Sequence, residues 1–209
     1  MDQTCDLSNQ ISLEEVVEAY YTCRKNKRNT ASAIRFEMSL AANLVELWQD
    51  INRGTYQPGR SIAFVVTNPV CREVFAAQFR DRIVHHLIIN KLEEQMESYF
   101  IDDSYSCRPD KGTFYGQKGA QEMIRECSDN YTCDCWVMKI DIQSFFMSIN
   151  KQLLFECLER FVKSHYHGKD IQMLLWLIRV TVFHRPELDC ERHSPDSFWD
   201  RLPKAKSLF

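Results

Sequence analysis

The sequence lacks any stretch approaching the roughly 20 uninterrupted apolar residues that a helix needs to cross a bilayer. Its start, Met1-Asp2-Gln3-Thr4-Cys5-Asp6, has neither the basic opening nor the apolar run of a secretory signal. Together these absences argue against a membrane partner and for a cytoplasmic protein. A disulfide framework is missing as well. The nine cysteines, an odd number without regular spacing, read as reduced thiols. Cys133-Asp134-Cys135 has the wrong spacing for a zinc knuckle, and Cys190-Glu191-Arg192-His193 offers two ligands with no evident second pair. There is no excess of positive charge either. A net charge of −3 argues against a surface that attracts nucleic acid all over, since that attraction grows with the number of phosphates neutralised. No internal repeat or low-complexity linker divides the chain.

What is present suffices for a packed core. An apolar share of 44% in 209 residues supports one large domain or two small lobes. Ser12-Leu13-Glu14-Glu15 has the form of a capping box and predicts a helix from Leu13 to about Arg24, with Val16, Val17, Ala19 and Tyr20 inside. A second helix is expected from about Thr30 to Asp50, with Met38, Ala41, Val45 and Trp48 as its core stripe. Ile62 to Val66 and Arg72 to Ala76 are rich in β-formers and flank the turn Thr67-Asn68-Pro69, so they read as two paired strands.

From Phe79 to about Tyr99, the residues Ile83, Val84, Leu87, Ile88, Leu92 and Met96 form one apolar helical face. His85 and His86 diverge on such a helix and read as packing and hydrogen-bonding groups. Asp81 and Arg82 read as structural residues, each pairing with a neighbour. Further helices are expected over about Gly116 to Glu126, Lys151 to His165 and Asp170 to Phe183, with Asn150 capping the second of these. Beyond Arg185, three prolines argue against regular structure.

One segment points to chemistry. Trp136, Val137, Met138 and Ile140 read as a short covered strand, after which Asp141 leaves the sheet edge toward solvent, followed by Phe145-Phe146. Taken alone, such an aspartate more often ends a strand in a turn. The basic run Arg24-Lys25-Asn26-Lys27-Arg28 is either a solvated loop or a surface that touches phosphates.

The neighbours of Asp141 favour the chemical reading. Trp48 to Gly59, the run Pro69-Val70-Cys71-Arg72-Glu73-Val74-Phe75-Ala76-Ala77-Gln78-Phe79-Arg80-Asp81-Arg82-Ile83-Val84-His85-His86, Asp103 to Thr113, the Asp141 segment and Leu202 to Phe209 follow one another in a fixed order. From about Leu44 onward this order resembles bacterial reverse transcriptases of the diversity-generating retroelement and group II intron-like group. The resemblance implies an α-rich α+β fold, with right-hand polymerase fingers and an incomplete palm, and helices packed on a small antiparallel sheet. It implies an N-terminal helical extension over 1–58, a fingers region over 59–135 and the first part of a palm over 136–209. The expected activity is RNA-directed DNA polymerisation, in which deoxynucleoside triphosphates extend a DNA or RNA primer on an RNA template with two magnesium ions.

Under that resemblance Asp141 is the shared catalytic metal ligand and the carbonyl of Ile142 an extra oxygen. Arg72, Arg108 and Lys111 contact the triphosphate, where guanidinium grips oxygens bidentately and ammonium acts as a point charge. Phe146 lies under the sugar and Phe145 in the core. Arg24, Lys25, Lys27 and Arg28 are weaker candidates for nucleic-acid contact. Val70 and Cys71 stand where such enzymes often carry a further basic residue. The remaining catalytic aspartates are expected in a Tyr-x-Asp-Asp hairpin beyond Phe209, because Asp102-Asp103 precedes the Asp141 segment; the chain is therefore expected to be an incomplete polymerase. Two other readings stay open: a non-catalytic nucleic-acid-binding or assembly module, and a reverse transcriptase of the retron, CRISPR-associated or phage-defence kind.

Overall fold

The computed structural model describes residues 10–25, 30–142, 145–203 and 207–208. Its class is α+β, with nine helices and three strands among those residues. Packing divides the chain into two units, one made of Met1–Leu92 and Ser144–Phe209, the other of Glu93–Gln143.

In the first unit, α1 (Leu13–Arg24) forms where expected. The Ser12 hydroxyl accepts from Glu15 N and the Glu15 carboxylate accepts from Ser12 N at 2.8 Å. Val16, Ala19, Tyr20 and Cys23 are buried at helical spacing, one stripe against the core. The single helix expected from Thr30 to Asp50 is instead two, α2 (Ala31–Glu37) and α3 (Leu40–Asn52). Asn43 Nδ2 donates to Phe36 O at 2.7 Å across the break, so a side chain takes up a carbonyl that a continuous helix would have satisfied itself. The break changes the buried face. Leu44, Leu47 and Ile51 are buried, whereas Met38 is 82% exposed and Ala41 and Val45 also face solvent, which corrects the expected stripe. Phe36 of α2 is free to join Tyr20 and Phe79 in an aromatic cluster.

The strands β1 (Ser61–Val66) and β2 (Arg72–Ala76) pair antiparallel from Ile62↔Ala76 to Val66↔Arg72, as the turn between them predicts. A third strand, β3 (Cys190–Arg192), pairs parallel with β1, giving the order β2-β1-β3. The sheet is therefore mixed and not antiparallel. The segment beyond Arg185 also carries regular structure, since α9 (Asp196–Trp199) follows β3. The prolines allow this because none lies inside either element: Pro186 precedes β3, and Pro195 occupies the cap position of α9, where a missing N–H costs nothing.

The core is completed by the first part of α4 (Phe79–Tyr99), with Ile83, Val84, Leu87 and Leu92 buried, and by α7 (Lys151–His165) and α8 (Ile171–Phe183). Asn150 caps α7 as its sequence predicts, with Oδ1 accepting from Gln152 N and Leu153 N. α6 (Phe145–Ser148) is one short turn before that cap.

The second unit holds the end of α4, α5 (Thr113–Cys127) and the segment from Ser128 to Ile142. α5 forms over the expected stretch but buries none of its residues. Trp136 to Ile140 is not a strand. Trp136 is 93% exposed, Val137, Met138 and Ile140 are also exposed, and no described strand pairs with the segment. The expectation of a covered strand is corrected here for a physical reason. A β-run is stable only when its amide groups meet a neighbouring ladder and one face meets a core, and the described strands all belong to the first unit.

Candidate functional site

Asp141 and Ile142 lie in the second unit, and both are exposed. Among the described residues the Asp141 carboxylate makes no hydrogen bond or ion pair. A magnesium ion accepts one or two carboxylates and completes its octahedron with water and phosphate oxygens, so Asp141 and the Ile142 carbonyl fit part of such a set. Among the described residues no group of three or more His, Cys, Asp or Glu side chains gathers as a metal centre.

Arg108 and Lys111 belong to the same unit, and the structure commits both to their own loop. Arg108 Nε pairs with Glu97 at 2.9 Å, Nη1 donates to Ile101 O at 2.7 Å and Ser104 O at 2.9 Å, and the guanidinium lies 5.4 Å from the Phe100 ring centroid. One planar cation thereby holds the turn between α4 and α5. Lys111 donates to Asp102 O, and its ammonium lies 5.8 Å and 5.4 Å from the centroids of Tyr105 and Tyr115. Glycine makes room for this arrangement. A Cβ at Gly119 would meet the Tyr105 hydroxyl at 2.8 Å. No hydrogen bond or ion pair joins Asp141 to Arg108 or Lys111 among the described residues.

Arg72, Phe145 and Phe146 belong to the first unit. Arg72 opens β2 on its exposed side and makes no ion pair or hydrogen bond among the described residues, which leaves its guanidinium available to an anion. Phe146 is 85% exposed. Phe145 is 46% exposed, so its assignment to the core is corrected. Both rings sit on the single turn of α6 with centroids 5.3 Å apart, too short an element to bury either against the bundle.

Arg24 pairs with Glu37, which also accepts from the Tyr20 hydroxyl at 3.0 Å; it therefore bridges α1 to α2. Lys25 is exposed. Lys27 and Arg28 lie outside the described residues.

Two buried carboxylates in the Pro69 to His86 run carry more structure than their sequence signalled. Asp81 is buried and accepts from the Tyr56 hydroxyl at 2.9 Å and from Gly59 N at 3.0 Å, tying the segment before β1 to the start of α4. Burial, and then the Asp81 charge, push the Tyr56 phenol far above its ordinary value. Among the described residues Arg82 pairs with no carboxylate; its Nε donates to Ala77 O at 2.9 Å. Glu73, 4% exposed, accepts from Ser207 Oγ at 2.8 Å and from Leu208 N. Nothing in the run Arg72-Glu73-Val74-Phe75-Ala76 marked Glu73 as inward, since two charged residues stand side by side there.

The chain matches no family model. Protein YkfC of Escherichia coli (strain K12) is 28% identical to it over 123 residues, which is 58% of this chain and 32% of that protein. The chain thus aligns with about a third of the length of this curated relative. Of the described residues, no helix is long and apolar enough to cross a membrane.

Proposed function

We propose that the chain is part of an RNA-directed DNA polymerase, with Asp141 as a catalytic metal ligand. The observation that supports this most directly is the exposed carboxylate of Asp141, set in an ordered series of segments that resemble those of reverse transcriptases and followed five residues later by an exposed aromatic ring. When bound, magnesium would supply charge neutralisation at the transferring phosphoryl group. Asp141 and the Ile142 carbonyl would hold it. By the same resemblance, the exposed Arg72 would contact a triphosphate and the exposed Phe146 would exclude a ribose 2′-hydroxyl. On this reading the structured region around β1, β2 and α4 is the fingers and the Asp141 segment opens the palm.

The test is primer extension on an RNA template with deoxynucleotides and magnesium. The 209-residue chain gives background extension, because one aspartate by itself cannot hold two magnesium ions in the geometry that the transfer requires. In a polymerase that contains this chain together with further aspartate ligands, Asp141→Asn abolishes extension and leaves the thermal melt unchanged. Near-normal extension by that variant removes Asp141 from the site. A second reading, a non-catalytic nucleic-acid-binding module, is favoured by the internal engagement of Arg108 and Lys111. It predicts RNA binding that survives Asp141→Asn and no extension in any longer form of the protein.

A further inference from the structure

Glu73 is the one acidic residue of β2, and it faces the interior next to Arg72, which faces out. Its two carboxylate oxygens are met by a remote part of the chain: Oε2 by the Ser207 hydroxyl and Oε1 by the Leu208 amide. No lysine, arginine or histidine pairs with it among the described residues. A buried carboxylate is strongly destabilising without partners, so the stretch at Ser207–Leu208 cannot leave without stranding a charge. Among the described strands β2 lies at the edge of the sheet, paired with β1. Contacts from Ser207 and Leu208 therefore supply a second restraint on the strand that carries Arg72.

We infer that Glu73 is a positioning residue, a latch that docks Ser207–Leu208 against β2 and thereby fixes the strand from which Arg72 meets a polyphosphate. The inference rests on the nucleotide role proposed for Arg72 and adds what holds that residue in place. The latch works through the ionised carboxylate, which accepts at both oxygens. Glu73→Gln keeps the size of the side chain but removes the charge that strengthens both bonds and leaves one acceptor oxygen in place of two.

Two readouts on the full 209-residue chain test it: hydrogen exchange at the Leu208 amide, and the affinity for inorganic tripolyphosphate. Glu73→Gln and Ser207→Ala are expected to speed Leu208 exchange, by roughly ten- to a hundred-fold for the glutamine and less for the alanine, with β1 amides unchanged. Glu73→Gln is expected to weaken tripolyphosphate binding several-fold. Arg72→Ala abolishes that binding and leaves Leu208 protection intact. Leu208 exchange that does not respond to Glu73→Gln overturns the latch. Tripolyphosphate binding lost in Arg72→Ala but unaltered in Glu73→Gln overturns the coupling. Affinity unchanged in Arg72→Ala overturns the nucleotide role of Arg72 instead, a failure that the Leu208 readout keeps distinct.

Discussion

At the scale of single residues, exposure decides what a truncation should cost. Phe145 and Phe146 both stand on a short, solvent-facing turn, so neither Phe145→Ala nor Phe146→Ala should shift stability by more than about 0.5–1 kcal/mol. A ring that excludes a 2′-hydroxyl leaves a further signature: in a complete polymerase, Phe146→Ala should raise ribonucleotide incorporation relative to deoxyribonucleotide, and Phe145→Ala should not. An unchanged sugar preference in the Phe146 variant would remove it from the nucleotide site. Asp81 behaves in the opposite way. Asp81→Ala leaves the Tyr56 hydroxyl and the Gly59 amide without their acceptor in a buried place, which should cost about 2–4 kcal/mol in denaturant unfolding. A loss below about 1 kcal/mol would mean that water takes over the carboxylate's place.

At the scale of elements, one ion cluster joins α1, α4 and α8. Lys91 on α4, with an 8% exposed side chain, pairs with Glu15 of α1 and, at 2.7 Å, with Asp170 at the start of α8; Asp170 also accepts from the Tyr166 hydroxyl at 2.7 Å. Burial by itself would raise the Asp170 carboxyl, but the hydrogen bonds from Lys91 and Tyr166, with the Lys91 charge, hold it below its ordinary value. Burial would lower Lys91, and its two carboxylate partners more than offset that, so it titrates above its ordinary value. The Tyr166 phenol is pushed up to about 12, by burial first and then by Asp170.

The depressed carboxyl contributes stability that is present above its unfolded value of about 3.9 and is lost as pH falls through its folded value. The raised ammonium contributes stability that is present below about 10.4 and is lost as pH rises through its folded value. Unfolding free energy from this cluster should therefore be flat between about pH 5 and 9 and fall on either side. Lys91→Met should cost about 2–4 kcal/mol at pH 7, toward the lower end for a broken buried pair because Glu15 remains partly solvated. Much of the acid sensitivity below pH 4 should disappear with it. A Lys91→Met variant with wild-type acid titration would show that Asp170 is held by other groups.

At the scale of the whole molecule, the two units differ in what holds them. The first has a continuous apolar core from α1, α3, α4, α7 and α8, while in the second Ser128 is the one buried residue among those described. A unit of roughly fifty residues that buries so little apolar surface cannot offset its chain entropy well. Amides of α5 should therefore exchange at least about a hundred-fold faster than those of α8 in hydrogen-exchange mass spectrometry. Comparable protection in the two helices would show that α5 has a covering surface of its own.

What the sequence alone determined is what short-range physics controls. The Ser12 box, the Asn150 cap and the 3.6-residue stripe of α4 are local patterns, and they placed α1, α7 and α4 correctly. Two runs of β-formers around a tight turn did the same for β1 and β2. Tertiary structure decided the rest, because those outcomes depend on partners far away in sequence. The break between α2 and α3 goes with the aromatic cluster of Tyr20, Phe36 and Phe79, whose members lie far apart in sequence. The parallel pairing of β3 joins residues about 130 apart, as Ser61↔Cys190 shows. The exposure of Trp136 to Ile140 reflects a ladder that local β-propensity cannot supply. Among the candidate site residues the same divide holds. The resemblance marked Asp141 and Arg72 as candidates, but only the fold showed that Arg72 makes no ion pair or hydrogen bond among the described residues while Arg108 spends its donors on Glu97 and two carbonyls. Glu73 and Asp81 became visible as clamps only when the residues that donate to them, one of them 135 positions away, came into contact.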